Sequence, residues 1–306
     1  MTDQPQGGGS LLDAPGSREG GALLAETGRR SGFDGHPDRH STNVVEIAKD
    51  RIVNVLHEDP DFAQDLEPEQ AKAASRLALA RVVSVAKGEF SAHEKLPSSP
   101  GMLGMLVLEG LLLRGVSVGV RPSLEVFGPG DVVRPREPQV DFDATVPVVI
   151  RWWALRPARL AVLDAAFTRR MSDYPVVIAE VAARLARGSA AGGVRLSIVQ
   201  QPRLTTRLHF MLWHLADRFG RVTSDGVILP VPLCHGLLSW LVGASRPAVC
   251  RAVSKLEDSG LLTRRPDDSW WLGRPLSEDF PADAEDGLRS PRIVGGGLRS
   301  GPPGRR

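Results

Sequence analysis

Residues 242–273, VGASRPAVCRAVSKLEDSGLLTRRPDDSWWLG, carry the signals that decide the fold. Ser245 can N-cap a helix, Pro247 in its first turn needs no intrahelical donor, and Gly260 suits a left-handed stop. At about 100° per residue, Val249, Ala252, Val253 and Leu256 fall on one side of that helix. Arg246, Pro247, Cys250, Arg251 and Ser254 fall on the other, so one face packs and the opposite face is open to read something. Upstream, LLSWLV reads as a helix and Gly243-Ala244 as a tight turn; downstream, TRRPDDSWWLG reads as strand, turn, strand. That order of parts is a helix-turn-helix followed by a wing. A solvated amphipathic face is the plainer reading of the same arginines, and it leaves the ordered neighbours of the helix unexplained.

Two arginines about one turn apart on a rod roughly 10–12 Å wide suit the major groove, where guanidinium forks pair with guanine O6 and N7. Arg246 and Arg251 are therefore the candidate base readers, with Ser245, Pro247, Cys250, Ser254 and Lys255 completing the DNA-facing set. Arg264 and Arg265 open the wing and are candidate phosphate clamps, which set register without reading sequence. Cys250 has two readings, a redox-sensitive thiol beside DNA or a small residue tolerated near bases, and the second is favoured. His209 and His214 stand five apart rather than the three or four that would align two ligands on a helix, and so are read as core or boundary residues. Trp152-Trp153 and Trp270-Trp271 read as strand packing, with alternation placing one of each pair inside.

The net charge of +2 on 306 residues is nearly balanced, so only local basic clusters can carry a nucleic-acid argument. Two cysteines, Cys234 and Cys250, make no CxxC or other metal-ligand spacing, which removes iron-sulfur and structural zinc readings. No metal is expected. The longest apolar run, Met102 to Leu113, is broken by Glu109 and falls short of the ~20 residues of a membrane helix. MTDQPQGGG lacks the basic start and apolar centre of a signal peptide. A cytoplasmic protein without membrane contact is expected.

Residues 1–42 and 276–306 are Gly-, Ser- and Arg-rich without periodicity and read as disordered tails. Between them, Val44 to Leu56 permits a short helix, and Pro68 to Val85 a second, partly strand. Leu103 to Val149 breaks into short apolar runs at Gly110, Gly115, Gly119 and Gly128-Pro129-Gly130, which reads as antiparallel strands with tight turns. VIRWWAL adds a strand at 149–155, and helices are expected over Pro157 to Met171 and Pro175 to about Val199. On the latter, Ile178, Val181 and Leu185 repeat at three and four residues, a seam able to pair with a symmetry mate; packing on the chain's own β-domain is the alternative. Leu204 to Phe219 is an amphipathic helix closed by Gly220. The fold class expected is α+β: an N-terminal antiparallel β-roll sensor domain over 43–173, a long dimerisation helix over 174–200, and a C-terminal winged helix-turn-helix domain over 201–275.

VGASRPAVCRAVSKLEDSGLL, with its V-G-x-S-R-x-x-V-x-R core, resembles the helix-turn-helix of the Crp/Fnr transcription regulators. The resemblance extends upstream through LWHLADRFGRVTSDGVILPVPL, and LEVFGPGDVVRP is similar to a turn of the family's β-roll, so roughly residues 50–275 are covered. It implies a cyclic-nucleotide-binding-like β-roll, a long helix at the dimer interface and a winged domain on a palindromic operator in double-stranded DNA, with RNA polymerase a further partner. By position it also implies that Arg246 and Arg251 contact bases. Many members place a glutamate directly after the first arginine; Pro247 stands there in this chain, so a contact with cytosine N4 is lost and the operator should differ. Members that bind cyclic AMP carry Gly-Glu followed later by Arg-Ser or Arg-Thr, whereas here Arg136 and Glu137 are adjacent between prolines. No cyclic-nucleotide cofactor is expected, and the effector is open.

The function expected is thus a homodimeric, sequence-specific DNA-binding regulator. The alternative is a small-molecule-responsive protein whose winged domain docks a protein partner. No nucleophile-base pair, carboxylate pair or metal spacing points to an enzyme.

Overall fold

Strand β8, Val149–Leu163, is the element on which the N-terminal half is assembled in this computed structural model, which describes residues 45–46, 51–92, 96–134 and 146–273. The expected disordered tails, together with Arg136 and Glu137, lie outside the described residues. β8 pairs antiparallel with β3 (Leu79–Val85), β4 (Gly88–Phe90) and β5 (Gly104–Ser117). β5 in turn carries β6 (Pro122–Phe127) and β7 (Val132–Val133), while β1 (Val45–Glu46) and β2 (Ile52–Asn54) pair with β3. The result is one antiparallel sheet of eight strands, the β-roll.

Two local expectations are corrected, and a third, of a segment part helix and part strand, is made definite. The helix expected over Pro157–Met171 is strand as far as Leu163, and only α3, Ala165–Arg170, is helical. Pro157 lacks an N–H for the ladder, and it is accommodated where the β5–β8 register shifts on either side of Glu109 and Leu111. Gly110, at φ +91°, lies against this irregularity, and a Cβ there would fall 2.2 Å from the Pro157 carbonyl oxygen. Among the described residues of Val44 to Leu56, Val45–Glu46 and Ile52–Asn54 are strands and helix begins at α1, Val55–Glu58, capped by the Asn54 side chain. The Pro68–Val85 segment divides at Ala78 into α2, Pro68–Leu77, and β3.

The long helix, α4, runs over Pro175–Val199 as expected. Its seam does not face outward. Val181 is 1% exposed and packs with Val55, Leu56 and Phe62, and Ile178 and Leu185 lie half-buried against the same cluster. Arg184 secures this face: it pairs with Asp59, bonds Glu180 at 2.8 Å and the Gly130 carbonyl at 2.8 Å, and stacks 4.0 Å over the Phe62 ring. Val181 is thus closed off, and Ile178 and Leu185 pack half-buried on the β-roll, the alternative weighed for this seam.

Helix α5, Leu204–Phe219, then leads into β9 (Arg221–Val222), β10 (Val227–Leu229), α6 (His235–Leu241), α7 (Arg246–Asp258), β11 (Leu262–Arg264) and β12 (Trp270–Leu272). The four strands form a second antiparallel sheet in the order β11-β12-β10-β9. Its core does not end at the helices. Leu111, Leu113, Leu124, Val126 and Trp153 of the β-roll share one apolar cluster with Leu208, Leu212, Leu238, Val249 and Trp270. For this reason both Trp152 and Trp153 are buried, contrary to the expected alternation: Trp152 faces the interior of the β-roll, and Trp153 is covered by the winged half. Trp270 is buried and Trp271 half-buried, as alternation requires.

Candidate nucleic-acid interface

Both helices of the helix-turn-helix are terminated by the same hydrogen-bond pattern. At the end of α6 the N–H of Gly243 bonds the Trp240 carbonyl at 3.3 Å and that of Ala244 bonds Ser239 at 2.8 Å. At the end of α7 the N–H of Gly260 bonds Glu257 at 2.9 Å and that of Leu261 bonds Leu256 at 3.0 Å. Gly243 and Gly260 have φ of +64° and +68°, the left-handed geometry this closure needs. The start of α7 differs from expectation. Ser245 is the extended N-cap residue and its carbonyl accepts the Val249 N–H at 3.0 Å, yet its side chain makes no capping bond. Pro247 occupies the second helical position and so removes one of the two donors a cap normally satisfies.

The two faces of α7 separate as the spacing predicts. Val249, Ala252, Val253 and Leu256 are buried, and Ser245, Arg246, Pro247, Arg251, Ser254 and Lys255 are exposed together on one helix. Cys250 is the exception: it lies half-buried, its Sγ 3.3 Å from His235 Nδ1 at the start of α6, instead of opening fully toward a groove. Burial lowers the His235 pKa, and the positive charges of Arg264 and Arg246 act the same way against the opposing charge of Glu257.

Arg264 and Arg265 are exposed in the wing, and both are engaged there. Arg264 bonds Asp268 at 2.8 Å and lies 5.9 Å from the Trp270 ring, and Arg265 stands 3.9 Å from Asp267. The Ser269 hydroxyl and N–H, at 2.6 and 3.1 Å, hold the Asp267 carboxyl below the ordinary range and tie the wing turn. Both partners are exposed carboxylates, so each of these ion pairs is a weak one.

Two anchoring residues carry no signal in the sequence. Arg207 of α5 bonds the Gln201 carbonyl from Nη2 at 2.8 Å and the Val242 carbonyl from Nη1 at 2.8 Å, which ties the α4–α5 junction to the turn before α7. Arg218, near the end of α5, pairs with Asp131 of the β-roll, whose other oxygen accepts the Gly128 N–H at 2.8 Å. Burial raises the Asp131 pKa, and Arg218 and the Gly128 N–H offset part of the rise. His209 is buried and His214 half-buried on α5, on the core and boundary positions expected. Among the described residues no group of three or more His, Cys, Asp or Glu side chains is placed to hold a metal ion, and no helix is long and apolar enough to cross a membrane.

No protein-family model and no curated protein matches the chain. Solved structures similar to it include a transcriptional regulator of the CRP/FNR family from Thermus thermophilus, at 20% identity and TM-score 0.44, covering 63% of this chain and 94% of that one. Another is a cyclic nucleotide-binding domain containing protein from Listeria monocytogenes, at 14% identity and TM-score 0.49, covering 63% and 89%. A third is the c-di-GMP responsive global regulator CLP of Xanthomonas campestris, at 16% identity and TM-score 0.46, covering 65% and 96%.

Proposed function

We propose that this chain is a sequence-specific, DNA-binding transcription regulator of the Crp/Fnr type that acts as a cytoplasmic homodimer with α7 in the major groove. The observation that carries this reading is α7 itself. Its apolar side is locked in the core, and Ser245, Arg246, Arg251, Ser254 and Lys255 are carried outward together on its other side. A helix so fixed needs no ordering of its backbone on binding, and two guanidinium groups supply the commonest specific contact to guanine.

The dimer in this proposal uses the outer face of α4. Ala179, Ala182, Ala186, Ser189, Gly193 and Leu196 are all exposed and follow one another at alternating spacings of three and four, the period of a coiled-coil seam. Leu196 is 63% exposed, and a Cβ at Gly188 or Gly193 would meet nothing within 4 Å. Glycines inside an exposed helix destabilise it by up to about 1 kcal/mol each relative to alanine, a cost that close approach of a second helix offsets. The other face of α4, held by Arg184, belongs to the β-roll.

The test is to select bound fragments from the source genome with the full chain and to titrate binding to a selected and a random duplex against salt. A groove-docked dimer loses affinity steeply, with a slope of roughly −0.9 per neutralised phosphate. A flat response, with no enriched sequence, overturns the proposal and favours a protein partner docked on the winged half.

A further inference from the structure

We propose that Cys250 and His235 form a thiol–imidazole pair that reacts with hydroperoxides, which makes the DNA face of α7 a site of covalent modification. The DNA consequence rests on the regulator reading above; the reactivity of the pair does not.

The geometry supplies what such a site needs. Cys250 Sγ lies 3.3 Å from His235 Nδ1, and the residue is only half-buried, which leaves room for a small reagent to reach it. The imidazole is fixed from behind by the Trp270 ring, with centroids 6.4 Å apart, and Trp270 is itself anchored through Nε1 to the Leu233 carbonyl at 3.2 Å. In the tautomer protonated at Nε2, Nδ1 stands within reach as a proton acceptor for the thiol, and a thiolate is the reactive form of cysteine. The charges around the ring are Arg264 from the wing and Arg246 and Glu257 from α7. Cys234, the residue before His235, is the second thiol of the chain and is also half-buried, so it serves as an internal control.

The step balances as follows. The Cys250 proton passes to His235 Nδ1, and the thiolate attacks the terminal oxygen of the hydroperoxide. The S–O bond forms as the O–O bond breaks, and the departing oxygen takes the proton from the imidazolium and leaves as an alcohol, or as water when the reagent is hydrogen peroxide. Sulfur is oxidised by two electrons and the peroxide is reduced by two. The sulfenic acid adds an oxygen at the edge of α7 between its candidate base readers, where a duplex would have to accommodate it.

The experiment treats the full chain with hydrogen peroxide, traps sulfenic acid with dimedone, and follows both cysteines by peptide mass spectrometry. Cys250 is expected to react at least about tenfold faster than Cys234, and His235→Gln, with its fold checked by circular dichroism, removes the advantage. Equal rates at the two thiols in the unaltered chain, a comparison that needs no variant, overturn the proposal, as does an unchanged Cys250 rate in folded His235→Gln. In the second arm, affinity for a selected duplex is measured before and after peroxide. A loss of about tenfold or more, reversed by dithiothreitol, is expected, and in Cys250→Ser peroxide leaves the affinity where it started. If the oxidised chain binds as well as the reduced one, the site as a DNA switch is overturned. If the untreated chain selects no duplex, the regulator reading fails, and the rates at the two thiols still decide the reactivity.

Discussion

Arg195 of α4 reaches Glu125 of β6, Nη2 to Oε1 at 2.9 Å, and the other oxygen of the same carboxylate holds Arg114 of β5 at 2.5 Å. Glu125 is 8% exposed and shares its side of β6 with Phe127, so one buried carboxylate joins the far end of the long helix to the face of the sheet that lines the interior of the β-roll. Removing it takes a charged acceptor from two poorly solvated guanidinium groups at once. Glu125→Ala is expected to lower stability by about 3 kcal/mol, read as a shift of the urea midpoint, whereas Glu125→Gln, which keeps an acceptor, loses less. Equal losses would show that shape and not charge holds this junction.

The readers and the clamps should separate under mutation. Arg246→Ala or Arg251→Ala is expected to cost about 1–3 kcal/mol at one base position and to relax sequence preference there. Arg265→Ala should weaken all duplexes alike and flatten the salt dependence. Because Arg264 is engaged by Asp268, Asp268→Asn is expected to raise affinity for random duplex without changing the selected sequence. Fluorescence titration of both duplexes across a salt series checks all three.

The two faces of α4 should respond differently. Leu196→Glu or Gly193→Arg, on the exposed face, is expected to yield a folded monomer by sedimentation, with an unchanged circular dichroism spectrum. Val181→Ala removes two methyl groups from a closed site and should lower stability by roughly 2 kcal/mol while leaving the association state alone. A folded Leu196→Glu dimer would place the partner on another surface.

The histidines set the sign of one pH effect. Burial lowers the pKa of His214 and of His235 from the ordinary 6.5, so the folded state favours the neutral rings. Their contribution is fully present above the unfolded value and is lost as pH falls from there through the folded value, because unfolding then takes up protons. The melting temperature is expected to drop between about pH 7.5 and pH 5.5, and His214→Gln should shrink the drop. Asp131 works in the opposite sense: its pKa is raised, so its contribution is present at low pH and is lost as pH rises through the folded value.

What could be read from the sequence is what local chemistry decides. Gly243, Pro247 and Gly260 mark the ends of α6 and α7, and the three- and four-residue spacing of Val249, Ala252, Val253 and Leu256 marks the buried side, so the helix-turn-helix was legible residue by residue. The uninterrupted α4 was legible for the same reason, glycines included. Misreadings arose where a distant segment decides. Pro157 looks like a helix start until its passage through β8 is seen to coincide with an irregular register opposite Gly110. A stripe such as Ile178, Val181 and Leu185 requires a cover without naming it, and here Phe62 and its neighbours supply it. The contacts of Cys250 with His235 and of Arg218 with Asp131 join positions 15 and 87 residues apart, and nothing in the local pattern announces either.

The apolar cluster that runs from Trp153 through Leu208 and Leu212 to Val249 makes the sheet and α7 two walls of one core. A winged fragment begun at Leu204 would lose the wall its helices lean on and should clump in solution. Within the whole molecule, β6 and the helix that carries Arg246 and Arg251 are packed into this single core, and Arg207 closes the joint beside it at Gln201.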